Sequence, residues 1–140
     1  MMKRPIGLGL LLMFSCFTPA QADDAKAFDG TWSIMLSCGN TDGALGYSFV
    51  FPSTVKDGDF EGHKGEEGKP GWLQIKGKIA ADGTAKFYAD GLVGASQAAV
   101  GHRPVGTEYG YHIAAKFSGD EGSGKRVEGR PCGFTFTRKR

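Results

Sequence analysis

An all-β fold, a small antiparallel eight-stranded up-and-down barrel closed by one disulfide, is what this sequence of 140 residues predicts, and three observations predict it. Apolar and polar residues alternate in short runs, the period-two signature of half-buried strands, and past the N-terminal segment no run carries a helix-period apolar pattern. Glycine accounts for 23 of the 140 residues, and Gly or Asp-Gly punctuates the runs where hairpin turns belong. Two cysteines, Cys38 and Cys132, fall in the apolar rows of the first and last runs.

The chain opens Met1-Met2-Lys3-Arg4, continues through an apolar stretch from Ile6 to Phe17, and reaches Ala20-Gln21-Ala22 before Asp23-Asp24. A positive start, an apolar stretch too short to span a bilayer, and small residues ahead of a cleavage point make residues 1–22 a secretory signal peptide. Cleavage near Ala22 leaves 118 residues, residues 23–140, as a single β-barrel domain that is periplasmic or extracellular. Lipidation at Cys16 is disfavoured by the bulk of Met13-Phe14-Ser15 before it. Removing Lys3 and Arg4 from the 17 cationic residues leaves 15 against 15 anionic ones, so the exported domain is formally neutral. That balance removes the electrostatic case for nucleic-acid binding. The C-terminal cations Lys125, Arg126, Arg130, Arg138, Lys139 and Arg140 are expected to be a solvated, edge-protecting set. Export also settles the cysteine arithmetic: with Cys16 gone, Cys38 and Cys132 remain in an oxidising compartment and are expected to pair.

Eight strands follow in order, at roughly Thr31 to Cys38, Gly46 to Lys56, Asp59 to His63, Trp72 to Ala80, Thr84 to Val93, Thr107 to Ser118, Gly124 to Glu128 and Cys132 to Lys139. In the first, Trp32, Ile34, Leu36 and Cys38 share a face; in the last, Cys132, Phe134, Phe136 and Arg138 do. Joining the two as antiparallel neighbours at Cys38 and Cys132 sets Leu36 opposite Phe134, Ile34 opposite Phe136 and Trp32 opposite Arg138. First and last strands that pair close a barrel and remove its free edges. The outward rows Gln74, Lys76, Lys78 and Lys86, Tyr88, Asp90 are too polar to face lipid, so no membrane insertion is expected.

The connections divide by length. Asp57-Gly58, Ala81-Asp82-Gly83 and Gly119-Asp120-Glu121-Gly122 read as short hairpin turns at one end. Gly39 to Leu45, Lys64 to Gly71, Gly94 to Gly106 and the briefer Gly129-Arg130-Pro131 gather at the other. Long loops at one mouth are where a site is built on such a scaffold.

Gly30-Thr31-Trp32 at the start of the first strand, with Arg138 closing the last, resembles the lipocalin and avidin group of eight-stranded barrels, the calycins. The resemblance covers the two chain ends and the strand plan. It implies a Trp32 that plugs the barrel floor under Arg138, and a class whose members mostly hold small apolar or amphipathic ligands. Some exported barrels of this size instead inhibit proteases or lysozymes, but their patterns match here only in size and a disulfide.

Catalytic chemistry lacks its carriers. There is no Gly-x-Ser-x-Gly elbow, phosphate loop or unpaired cysteine, so no enzyme activity and no cofactor are expected. His63, His102 and His112 have no metal-site spacing; His63-Lys64-Gly65-Glu66-Glu67 reads as a solvated turn, and His112 as a surface residue. The aromatic residues Tyr47, Trp72 and Tyr109 fall at strand ends beside the long loops, with His102 and Arg103 on the longest loop, and these five are the candidate ligand-binding residues. Against a hollow interior stand Phe49, Phe51, Phe60, Phe87, Phe117, Phe134 and Phe136, enough bulk to fill a barrel of eight strands. The expected role is an exported binding protein with a small molecule at its mouth. The alternative is a protein-protein module, such as an inhibitor of an exported hydrolase, that uses the same loops.

Overall fold

A computed structural model describes residues 26–140 together with Gly7 and Gly9. The expected signal peptide, apart from these two glycines, its cleavage point near Ala22, and Cys16 lie outside the described residues. Eight strands follow one another: β1 (Gly30–Cys38), β2 (Tyr47–Lys56), β3 (Asp59–Lys64), β4 (Leu73–Ile79), β5 (Thr84–Leu92), β6 (Glu108–Ser118), β7 (Glu121–Arg126) and β8 (Cys132–Arg138). Each pairs antiparallel with its sequence neighbours, and β8 returns to β1 to close the barrel.

The seam between β1 and β8 has the register that alternation demands: Cys38 opposite Cys132, Leu36 opposite Phe134, Ile34 opposite Phe136 and Trp32 opposite Arg138. Cys38 and Cys132 are disulfide-bonded, with Cα atoms 4.3 Å apart, so the crosslink joins two directly facing residues and links the two ends of the sheet.

Two hairpins show how the turns are made. Asp57 and Gly58 both take positive φ, 51° and 82°, the requirement of a type I′ turn whose twist matches the flanking strands. The β6–β7 turn differs from expectation: it is Gly119-Asp120 alone, and β7 begins at Glu121 rather than Gly124. Gly119 takes φ 59° while Asp120 stays negative, as in a type II′ turn, and Ser118 therefore pairs with Glu121. Gly122, which reads as loop, is a strand residue facing the barrel interior, where it leaves room for the Phe117 ring opposite.

The interior is filled unevenly. At the short-turn end Trp32, Phe60, Phe87, Phe117 and Phe136 form one cluster; Phe60 and Phe87 stack at 4.3 Å, and Trp32 meets Phe117 edge-on at 5.2 Å. The chain before β1 crosses this end, where Phe28 packs on Phe117 and its carbonyl accepts the Trp32 indole N–H at 2.8 Å. Arg138 covers the plug, its guanidinium carbon 4.9 Å from the Trp32 ring and its N–H groups donating to the carbonyls of Ala27, Asp29 and Gly119. Lys76, Lys78, Lys86, Tyr88 and Asp90 point outward and are exposed.

Candidate functional site

Above the aromatic floor, at the long-loop end, the barrel opens into a cavity of about 830 Å³. Leu36 and Leu73 line its inner part, Tyr47, Phe49 and Tyr109 stand on its walls, and the loop after β5 roofs one side through Ala98, Ala99 and Val100. Phe49 belongs to the inward row of β2, paired across from Leu36, yet it is 41% exposed because the space in front of it is open. The Tyr109 ring lies over a glycine. Gly91 faces inward directly opposite Tyr109, and a Cβ there would lie 2.4 Å from the Tyr109 ring.

Polar groups converge on this cavity from several elements. Lys64, the last residue of β3, shares the inward direction of Phe60 and Gly62; its Nζ donates to the Gly71 carbonyl and lies 4.1 Å from the Phe49 ring centre. Burial holds its pKa below the ordinary lysine value. Arg126, the last residue of β7, follows the inward Gly122 and Gly124 and lays its guanidinium 4.2 Å from the Tyr111 ring centre, with its Nε–H donating to the Glu128 carbonyl. Burial raises the Tyr109 hydroxyl to about 12, with Tyr47 adding to the rise, and raises Tyr111 further. Both phenols are therefore neutral donors at ordinary pH.

Arg130 is a different kind of residue from the solvated cation expected of it. Only 6% exposed, it donates to the carbonyls of Ala98 at 2.6 Å, Gly39 at 2.7 Å and Leu45 at 3.2 Å. One guanidinium thus ties the β1–β2 loop, the β5–β6 loop and its own β7–β8 loop together at the rim. The planar fork of donors explains why an arginine and not a lysine does this. Arg126 also departs from the expectation of a solvated edge cation, because a closed barrel has no edge and it takes an inward position over Tyr111, while Arg138 lies over Trp32, the position that its inward row and the calycin resemblance give it.

Comparison with known proteins found no matching family model, no matching curated protein and no matching solved structure.

Of the five residues singled out in the sequence, Tyr47, Arg103 and Tyr109 line the cavity. Trp72 and His102 are not among its lining residues. Trp72 precedes β4, whose first residue Leu73 takes the inward direction, and is itself half-buried. His102 sits exposed at φ 51° in a turn closed by its own N–H on the Ala99 carbonyl. The residues sequence reasoning missed are Phe49, Lys64, Arg126 and Arg130. Spacing held the signal for two of them, since Lys64 is two residues from Gly62 and Arg126 two from Gly124 on the same inward rows. Elsewhere, His63 bonds Glu61 at 2.7 Å and His112 bonds Glu128 at 2.6 Å, both exposed pairs on the outer surface. Among the described residues no three His, Cys, Asp or Glu side chains gather as a metal site would need.

Proposed function

We propose that this protein is an exported binding protein that holds a small molecule in the open mouth of its barrel. The observation that carries the reading is the cavity of about 830 Å³ above a packed aromatic floor, within the size range of small-molecule sites and walled by Tyr47, Phe49 and Tyr109. The closed end supplies the rigid support such a site requires, and the disulfide pins the rim where β1 and β8 meet. The likeness to calycin barrels, in Gly30-Thr31-Trp32 under Arg138, supports the same reading at the level of class.

A second reading draws on the rim. Leu45, Val100 and Val105 are exposed on the mouth loops, the kind of apolar surface that a protein partner covers. Native mass spectrometry of the protein recovered from its own compartment, with the same sample denatured for comparison, separates the two. A small bound mass that disappears on denaturation is the expected result. A bare monomer, or a complex with a second protein and no small ligand, overturns the binding-protein reading.

A further inference from the structure

The inward-facing rows of the eight strands carry charge of one sign only. Lys64, Arg126 and Arg138 are the charged residues on them, while the strand carboxylates Asp59, Glu61, Asp90, Glu108 and Glu121 lie on the exposed outer face. Arg138 is spent at the closed end on Trp32, three carbonyls and Asp120. The other two stand at the mouth. Because β3 and β7 are four strands apart in a ring of eight, Lys64 and Arg126 occupy opposite walls of the cavity. The loops add Arg103 and Arg130 to the lining, against Asp42 as its one carboxylate.

None of these four cations has a carboxylate partner among the described residues, although exposed lysines on the outer face do, Lys76 with Glu61 and Lys78 with Asp59. Hydrogen bonding leaves donors to spare. Lys64 gives one of its three N–H groups to Gly71, and Arg126 gives Nε–H to Glu128 while its terminal nitrogens have no partner among the described residues. Partly buried cations without counterions are electrostatically costly unless something else supplies the negative charge.

We propose that the ligand of the mouth is a small organic anion: an apolar or flat ring body that stacks among Tyr47, Phe49 and Tyr109, carrying an acidic group held between Lys64 and Arg126. This rests on the mouth being a ligand site and adds the chemistry the site selects. Tyr109 contributes a neutral hydroxyl donor beside the cations, suiting a carboxylate, sulfonate or phosphate oxygen.

Two fluorescent probes of nearly the same shape test this: anilinonaphthalene sulfonate, an anion, and phenylnaphthylamine, its neutral counterpart. Titrations use the wild-type protein, the Lys64→Gln/Arg126→Gln double variant, the single variant Lys64→Gln, and Lys86→Gln as an outer-face control. The wild type is expected to bind the anion about tenfold more tightly than the neutral probe, a difference of one charge-assisted hydrogen bond. The double variant should lose that preference and keep the neutral probe, Lys64→Gln should lose part of it, and Lys86→Gln should be unchanged. Near-ultraviolet circular dichroism confirms that each variant is folded, and Lys64→Gln alone decides the matter should the double variant not fold. Equal binding of both probes by the wild type, or an anion preference that survives loss of the cations, overturns the anion assignment and leaves the mouth site standing. No binding of either probe overturns the mouth site itself.

Discussion

Arg130 does the work of a loop clasp. Its guanidinium replaces water for carbonyls of Gly39, Leu45 and Ala98, and the chain would otherwise have to hold three loops over a cavity with few apolar contacts. Arg130→Ala is expected to lower stability by about 3 kcal/mol, the scale of losing charged hydrogen bonds to buried acceptors, and Arg130→Lys to recover only part of it. Urea unfolding checks both. Tyr109 carries a second prediction. Its folded pKa, about 12, lies above the unfolded value of about 10, so the stability that comes from keeping the phenol neutral is complete below pH about 10 and is lost as pH rises toward 12. Unfolding midpoints measured across that window should fall for the wild type and fall less for Tyr109→Phe. Single residues were unevenly legible. Trp32 and the two cysteines announce themselves by apolar alternation. Lys64, Arg126 and Arg130 do not, because a cation near a Gly-rich turn looks solvated unless the inward direction of its own strand is followed to the last residue.

Strands in this barrel are fitted to one another by glycine set against aromatic rings. Gly77 lies opposite Phe87, Gly91 opposite Tyr109 and Gly122 opposite Phe117, each pair directly facing across a ladder and each glycine without room for a methyl group. Such pairing lets a large ring lie over the neighbouring backbone. At Gly77 a Cβ would sit 2.2 Å from the Lys86 carbonyl oxygen and 2.6 Å from the Phe87 ring, so Gly77→Ala is expected to cost about 2 to 3 kcal/mol through overpacking. Gly133, on the outward row of β8 with nothing within 4 Å, is the control, and its alanine variant should change stability by less than about 1 kcal/mol. Denaturant titration of the two variants gives the comparison directly. The same pairing explains where reading by element went astray. Glycine serves equally as turn residue and as the partner of a ring, and Glu121-Gly122 reads as turn because nothing local distinguishes the two uses.

At the scale of the molecule, topology was legible because two facing cysteines fix the register of the first and last strands, and that register closes the sheet. Replacing both cysteines with serine releases a crosslink that spans 94 residues of sequence and is expected to cost about 4 to 5 kcal/mol on the chain-entropy account, measured by unfolding of the variant beside the wild type. How the interior is filled was not legible. Counting phenylalanines gives the bulk available but not its distribution along the barrel axis. Here the packed rings collect at the short-turn end, while the long-loop end is open as the cavity. A half-filled barrel separates a packed floor from an open mouth, the division on which the proposed binding role rests. Amide NMR of the isotope-labelled protein, titrated with anilinonaphthalene sulfonate, tests that division most directly. Saturable shifts are expected at Lys64, Gly71, Gly91, Tyr109 and Arg126, with Phe60, Gly77 and Phe117 unmoved. Shifts confined to the outer face, or spread through the closed end, would contradict it.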